Sequence, residues 1–202
     1  MNKAINELKN LGAEVEEVEG GLKLIGGWSE RYNKYHNLFV EITGNLLTFN
    51  LVQHKDFLKN LTSLGSLYTP YAIQHKDFLK NLTSLEGLYT FKATQHKDFL
   101  KNITSLVCLS THNTAQHKDF LKNLTSLGGL YTFKATQHKD FLKNLASLGS
   151  LNTNNAIQHP DFLRNLKNFD ELKSIPIQHP NFLKNFSDKK NTLETHINNY
   201  KL

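Results

Sequence analysis

The chain has 202 residues, 39% hydrophobic and 21% charged, and 24 basic side chains against 18 acidic ones give it a net charge of +6. That composition suits a folded chain rather than a disordered one, and its excess charge is spread too evenly for a dense basic arm. Cys108 is the only cysteine, which excludes an intrachain disulfide framework and a cysteine-built zinc knuckle.

At the start, Met-Asn-Lys-Ala-Ile-Asn-Glu-Leu has no secretory-type apolar run, and no later stretch is long enough to cross a bilayer. The expectation is a cytoplasmic protein without a membrane partner. Ala4–Leu11 reads as a short amphipathic helix stopped by Gly12, and the alternating acidic stretch 13–19 follows it. Together, residues 1–19 are expected to cap what comes next.

What comes next is a repeat. The dipeptide Gln-His opens units at Gln53, Gln74, Gln95, Gln116, Gln137 and Gln158, each 21 residues apart, and a seventh opens at Gln178, 20 residues on. The units at Gln74 and Gln116 differ only at Glu86 against Gly128. A worn copy lies upstream, where Asn45–Gln53 aligns with Gly129–Gln137, and Gly21-Leu-Lys-Leu is a fainter one. A fixed period in the twenties predicts a solenoid, whose units bury their apolar faces only against neighbouring units. The repeat region is placed at 20–186. After it, Asn191-Thr-Leu-Glu194 has the form of a capping box opening a terminal helix, so 187–202 is expected to be the second cap.

Within a unit the leucines fall three apart (Leu58, Leu61, Leu64, Leu67), which matches neither a long amphipathic helix nor a simple strand. Glycines such as Gly65 and Gly128 would interrupt a coiled coil. Leu-Tyr-Thr-Phe at 88–91 and 130–133 is strand-forming. Asp-Phe-Leu-Lys-Asn-Leu is expected to form a helical turn or two, because Pro160 and Pro180 stand just ahead of it.

The run Asn-Leu-Thr-Ser-Leu-Gly-Gly-Leu at 123–130 resembles the leucine-rich repeat of the bacterial, internalin-like type. The resemblance implies an α/β repeat solenoid with one short parallel strand and one short helical segment per 21-residue coil; a parallel β-helix is the alternative. Thr69, Thr90, Thr111, Thr132 and Thr153 replace that family's third strand leucine. Its turn asparagine is replaced by Ala72, Ala93, Thr114, Ala135 or Ala156.

In a solenoid each aligned column becomes a ladder, with rungs about 4.8 Å apart where strands pair. One column holds His54, His75, His96, His117, His138, His159 and His179. A line of imidazoles does not converge on a point as zinc ligands must. A structural ladder bonded to turn backbone is expected, with no metal and no cofactor. Asn60, Asn81, Asn102, Asn123, Asn144 and Asn165 precede a core leucine and are expected to bond to backbone at turns. The four Asn-Leu/Ile-Thr sequons that begin at Asn60, Asn81, Asn102 and Asn123 are read in the same structural way. The lysine columns at Lys55 and Lys59, with Asp56 between them, are expected to be solvated.

If Leu64 and Leu67 point inward, alternation turns Tyr68 outward, Thr69 inward and Pro70 outward. The outward set then includes Tyr68, Tyr89, Phe91, His112, Tyr131 and Phe133, an aromatic face that varies between otherwise constant units. Exposed aromatic patches mark interaction surfaces, so these six are the expected partner-binding residues. The opposite parity would expose a threonine ladder suited to ice or carbohydrate. No constellation of unlike groups suggests catalysis, since the singular pair Cys108 and His112 lies too far apart along a strand to react together. The expected function is a non-enzymatic protein-binding scaffold. The alternatives are a structural rod and weak binding of a polyanion such as nucleic acid.

Overall fold

A computed structural model describes residues 1–48, 55–164 and 166, and the backbone of 168–172. Helix α1 (Asn2–Asn10) leads into β1 (Glu14–Val18) and β2 (Gly21–Ile25), and a 3-10 helix (Glu30–Leu38) precedes β3 (Phe39–Leu47). One strand per repeat follows: β4 (Ser63–Tyr68), β5 (Ser84–Phe91), β6 (Ser105–His112), β7 (Ser126–Tyr131), β8 (Ser147–Asn152) and β9 (Asn168–Leu172). They form one nine-stranded sheet in chain order. Among the described strands only β1 runs antiparallel to its neighbour, and every later pair is parallel.

This is a β-solenoid of stacked coils. Leu64 pairs with Leu85, Leu106 with Leu127 and Leu127 with Leu148, so the sequence period is the period of the sheet. The worn upstream copy follows the same alignment, for Asn45 pairs with Ser66 one rung from Gly87. An extra residue is absorbed between Ile42 and Asn45. Opposite that bulge the chain needs glycine, because a Cβ on Gly65 would lie 2.2 Å from the Thr43 carbonyl oxygen.

The core is a stack of leucine columns. Leu58, Leu61, Leu64 and Leu67 are all buried, as are their repeats through Leu142, Leu145, Leu148 and Leu151. Beside them runs a phenylalanine column, from half-buried Phe57 to buried Phe162, whose rings stack at 6.2 to 6.5 Å with interplanar angles of 15° or less. Each buried side chain contributes roughly 2 kcal/mol, and most of its contacts lie on the coils above and below. A lone coil has no core.

The expected helical segment is not helix. From Lys55 to Asn60, and in each later coil, the chain runs through hydrogen-bonded turns. The bonds span three residues: Phe78 N–H donates to the His75 carbonyl and Leu82 N–H to that of Leu79. Leu58 and Leu79 sit at φ 51°, in the left-handed region, which turns the backbone out of any continuing helix.

At the first end, α1 buries Leu8, and β1 pairs along the edge that β2 would otherwise expose. Lys34 and Tyr35 of the 3-10 helix both bond the Glu7 carboxylate of α1. The second cap at 187–202, with His54, His179 and Asn165, lies outside the described residues.

Candidate recognition face

Polar ladders surround the apolar columns, and each bonds one coil to the next. Asn60 donates its side-chain amide to the Asn37 carbonyl, and Asn81, Asn102, Asn123 and Asn144 donate to the carbonyls of Lys59, Lys80, Lys101 and Lys122, at 2.5 to 2.7 Å. His75, His96, His117, His138 and His159 each accept, through Nδ1, the backbone N–H of the aspartate two residues on, all at 3.1 Å. An imidazole takes that role only while its Nδ1 carries no proton. The lysine column at Lys59 is not free solvated charge in its later members. Lys101, Lys122, Lys143 and Arg164 pair with Asp77, Asp98, Asp119 and Asp140 of the preceding coil.

A buried glutamine column escaped the sequence reading. Gln74, Gln95, Gln116 and Gln137 accept, through Oε1, the backbone N–H of His96, His117, His138 and His159. In three coils a glutamine of this column donates inward, from Gln116 to Thr111 Oγ1, from Gln137 to Thr132 Oγ1 and from Gln158 to Thr153 Oγ1, at 3.0 to 3.2 Å. Its only signal in the sequence was the invariance of Gln beside His, which the histidines overshadowed.

From Leu67 onward the strand alternates, whereas Leu64 and Leu67, three apart, are both buried because two successive residues turn inward between them. Thr69, Thr90, Thr111, Thr132 and Thr153 are buried, so this column forms no hydroxyl surface. The residues on either side of each threonine reach solvent in two rows. The first row is Tyr68, Tyr89, Ser110, Tyr131 and Asn152, aligned by pairing. The second contains Phe91, His112 and Phe133, and Phe91 pairs with His112.

In the first row, Tyr68 and Tyr89 stack at 4.4 Å with planes 6° apart. In the second, His112 stands edge-on between Phe91, at 4.8 Å, and Phe133, at 4.6 Å. A groove of about 190 Å³ lies between the rows, lined by Leu47, Tyr68, Pro70, Tyr89, Phe91, Ser110 and His112 among others. Lys92 lies over the rings of Phe91 and Tyr71, and Lys134 over that of Phe133. The structure therefore brings the six expected partner-binding residues onto one surface and adds Tyr71, Lys92 and Lys134 to it.

Why the tyrosine rings lie where they do is a matter of room. A Cβ on Gly87 would come within 3.0 Å of the Tyr89 ring, and one on Gly129 within 3.3 Å of the Tyr131 ring. Each tyrosine thus leans back over a glycine two residues earlier. Where Ser110 replaces tyrosine, Cys108 stands in the glycine's register, paired with both Gly87 and Gly129.

The adjacent Cys108 thiol, followed by burial, pushes the Tyr89 phenol's pKa up. Burial raises the Cys108 thiol above its usual range. Cys108 therefore stays a neutral thiol at neutral pH, lying beside Tyr89 of the coil before. Burial, followed by the Lys134 charge, holds His112 below the usual histidine range, so its ring is neutral at pH 7. Among the described residues no group of three or more His, Cys, Asp or Glu side chains is placed to hold a metal ion, and no helix is long and apolar enough to cross a membrane.

Comparison with protein-family models, with curated proteins and with solved structures returned no match.

Proposed function

We propose that the chain is a non-enzymatic scaffold that binds another protein through the aromatic rows on either side of the buried threonine column. One observation carries this reading. The interior columns are nearly invariant, whereas the two solvent-facing rows read Tyr and Pro, Tyr and Phe, Ser and His, Tyr and Phe, then Asn and Asn from coil to coil. A rigid frame under a varied face suits recognition, because the side chains are ordered before the partner arrives and little entropy is left to lose. We further read the coil as closer to a parallel β-helix than to a leucine-rich repeat. Turns replace the helical segment, and a second set of parallel bridges joins Ile73 to Thr94 and links Ala115, Thr136 and Ile157.

The test changes Tyr89, Phe91, Tyr131 and Phe133 together to serine. A recognition scaffold keeps its circular-dichroism spectrum and loses the partners that the unaltered chain retains as bait. If the variant holds the same partners, the face is not the binding surface. A rod whose copies set length would instead show concentration-dependent self-assembly by sedimentation, unchanged in the variant.

A further inference from the structure

Resting on that reading of the aromatic face, we infer that the notch above Ser110 takes one aromatic side chain of an acidic partner segment, its ring sandwiched between Tyr89 and Tyr131. The tyrosine row has a single vacancy with a tyrosine on each side: Ser110 pairs with Tyr89 on one flank and Tyr131 on the other. Both tyrosines lean over a glycine two residues back, so their rings share one orientation. Two rungs of about 4.8 Å separate them by nearly 10 Å. A ring placed midway stands about 5 Å from each, within the range of offset stacking, and it continues the spacing of the Tyr68–Tyr89 pair at 4.4 Å.

Orientation decides what kind of group enters. Tyr68 and Tyr89 stack face to face, so one face of Tyr89 is covered and the other is turned toward the rung of Ser110, where the Cys108 side chain stands in the glycine register and an entering ring packs outside it. A sugar or an aliphatic chain lying flat on the sheet would meet only ring edges. A planar ring inserted edge-first meets two faces. His112, fixed between Phe91 and Phe133, closes the notch on the side of the second row.

Charge decides what the ring is attached to. Segments 87–94, 108–115 and 129–136 together carry two lysines and no carboxylate. Those lysines, Lys92 and Lys134, belong to the two rungs that bracket Ser110, and each follows the second-row residue of its rung. Both are anchored over aromatic rings, at 5.3 to 5.7 Å from the centroids. Carboxylates flanking an inserted aromatic residue meet this pair, and the one acidic residue of the three strands, the exposed Glu86, lies three residues before Tyr89 at the far end of its strand.

The vacancy can be closed by copying its neighbours. Ser110→Tyr together with Cys108→Gly gives the rung the Gly-Leu-Tyr of the rungs on both sides, so the tyrosine row becomes continuous and the fold is kept. The probes are short blocked peptides with tryptophan between glutamates, the same peptide with tryptophan between lysines, and an oligothymidine, each titrated into the full chain and followed by amide shifts in NMR. The glutamate peptide should bind saturably and shift the amides of Tyr89, Ser110 and Tyr131. The lysine peptide should bind about fivefold more weakly or not at all, and the double variant should lose the glutamate peptide while keeping its melting temperature.

Equal binding by the double variant, equal binding of the two peptides, or no saturable binding would overturn the inference. Tighter binding of oligothymidine than of the glutamate peptide would overturn it in favour of a nucleobase in the notch. Loss of partners in the four-serine variant but not in this double variant would leave the recognition face standing and remove only the notch.

Discussion

Asn102 Nδ2 donates to the main-chain carbonyl of Lys80, one coil back, at 2.6 Å. The repeats of this bond at Asn81, Asn123 and Asn144 make it a fastening between coils that operates outside the sheet.

Removing one fastening should therefore be felt by the whole stack. Asn102→Ala is expected to lower unfolding free energy by about 1 kcal/mol, measured by urea denaturation. Asn102→Asp should cost more at pH 7, because it sets a carboxylate against a carbonyl oxygen. Unchanged midpoints would mean that water replaces the amide without loss.

The phenylalanine column predicts a larger effect. Phe120 is buried and stacked between Phe99 and Phe141, both at 6.3 Å. Phe120→Ala should cost about 3–5 kcal/mol, and Phe120→Leu clearly less, read from the same denaturation curves.

Two buried threonines in one column should respond oppositely. Thr111 Oγ1 accepts the Gln116 side-chain amide at 3.2 Å, whereas Thr69 Oγ1 and the Gln74 side-chain nitrogen are buried without a hydrogen-bond partner. Thr111→Val leaves Gln116 Nε2 without its acceptor and is expected to cost about 1–3 kcal/mol. Thr69→Val should be neutral or stabilising. Equal losses at both positions would contradict the assigned bonds.

Acid should loosen the stack through its ion pairs. Hydrogen bonds from Lys122 to Asp98 and from Lys143 to Asp119 hold those two carboxyls below their usual range. At Asp77 burial opposes the shift, yet Lys101 and its neighbours still lower the pKa. A carboxyl with a depressed folded-state pKa stabilises the fold above its unfolded pKa, near 4, and loses that contribution as pH falls through the folded value. Stability should thus be level in this respect near neutrality and should drop below about pH 4. Lys122→Met should make the drop shallower, since Asp98 then loses its partner at every pH.

His112 offers a site-specific check. Its NMR titration midpoint should lie below the usual histidine value of about 6.5, and Lys134→Gln should move it up only partway, because burial is the larger cause.

The repeat could be read from the sequence because a solenoid makes sequence period and spatial period the same quantity. Once Gln-His was seen every 21 residues, the stacking of leucines over leucines and asparagines over asparagines followed. So did the inward threonine of each strand, since it stands two residues after the inward leucine of the Leu67 column. The segment after Gln-His was misread for a local reason. Its spacing and its prolines suit a helical turn, but an imidazole captures the next N–H but one in coil after coil, and at Leu58 and Leu79 a left-handed residue also ends the turn.

The period, the inward columns and the residues of the aromatic face were legible in the chain's residue order, because each depends on a pattern repeated along it. It took the folded coils to show that Tyr89 lies against Cys108 of the next coil, that glutamines line the interior, and that Lys92 and Lys134 lie over aromatic rings of the face. Those relationships depend on how far a side chain reaches between rungs, and reach is set by room left on the neighbouring coil, which no single strand of text records.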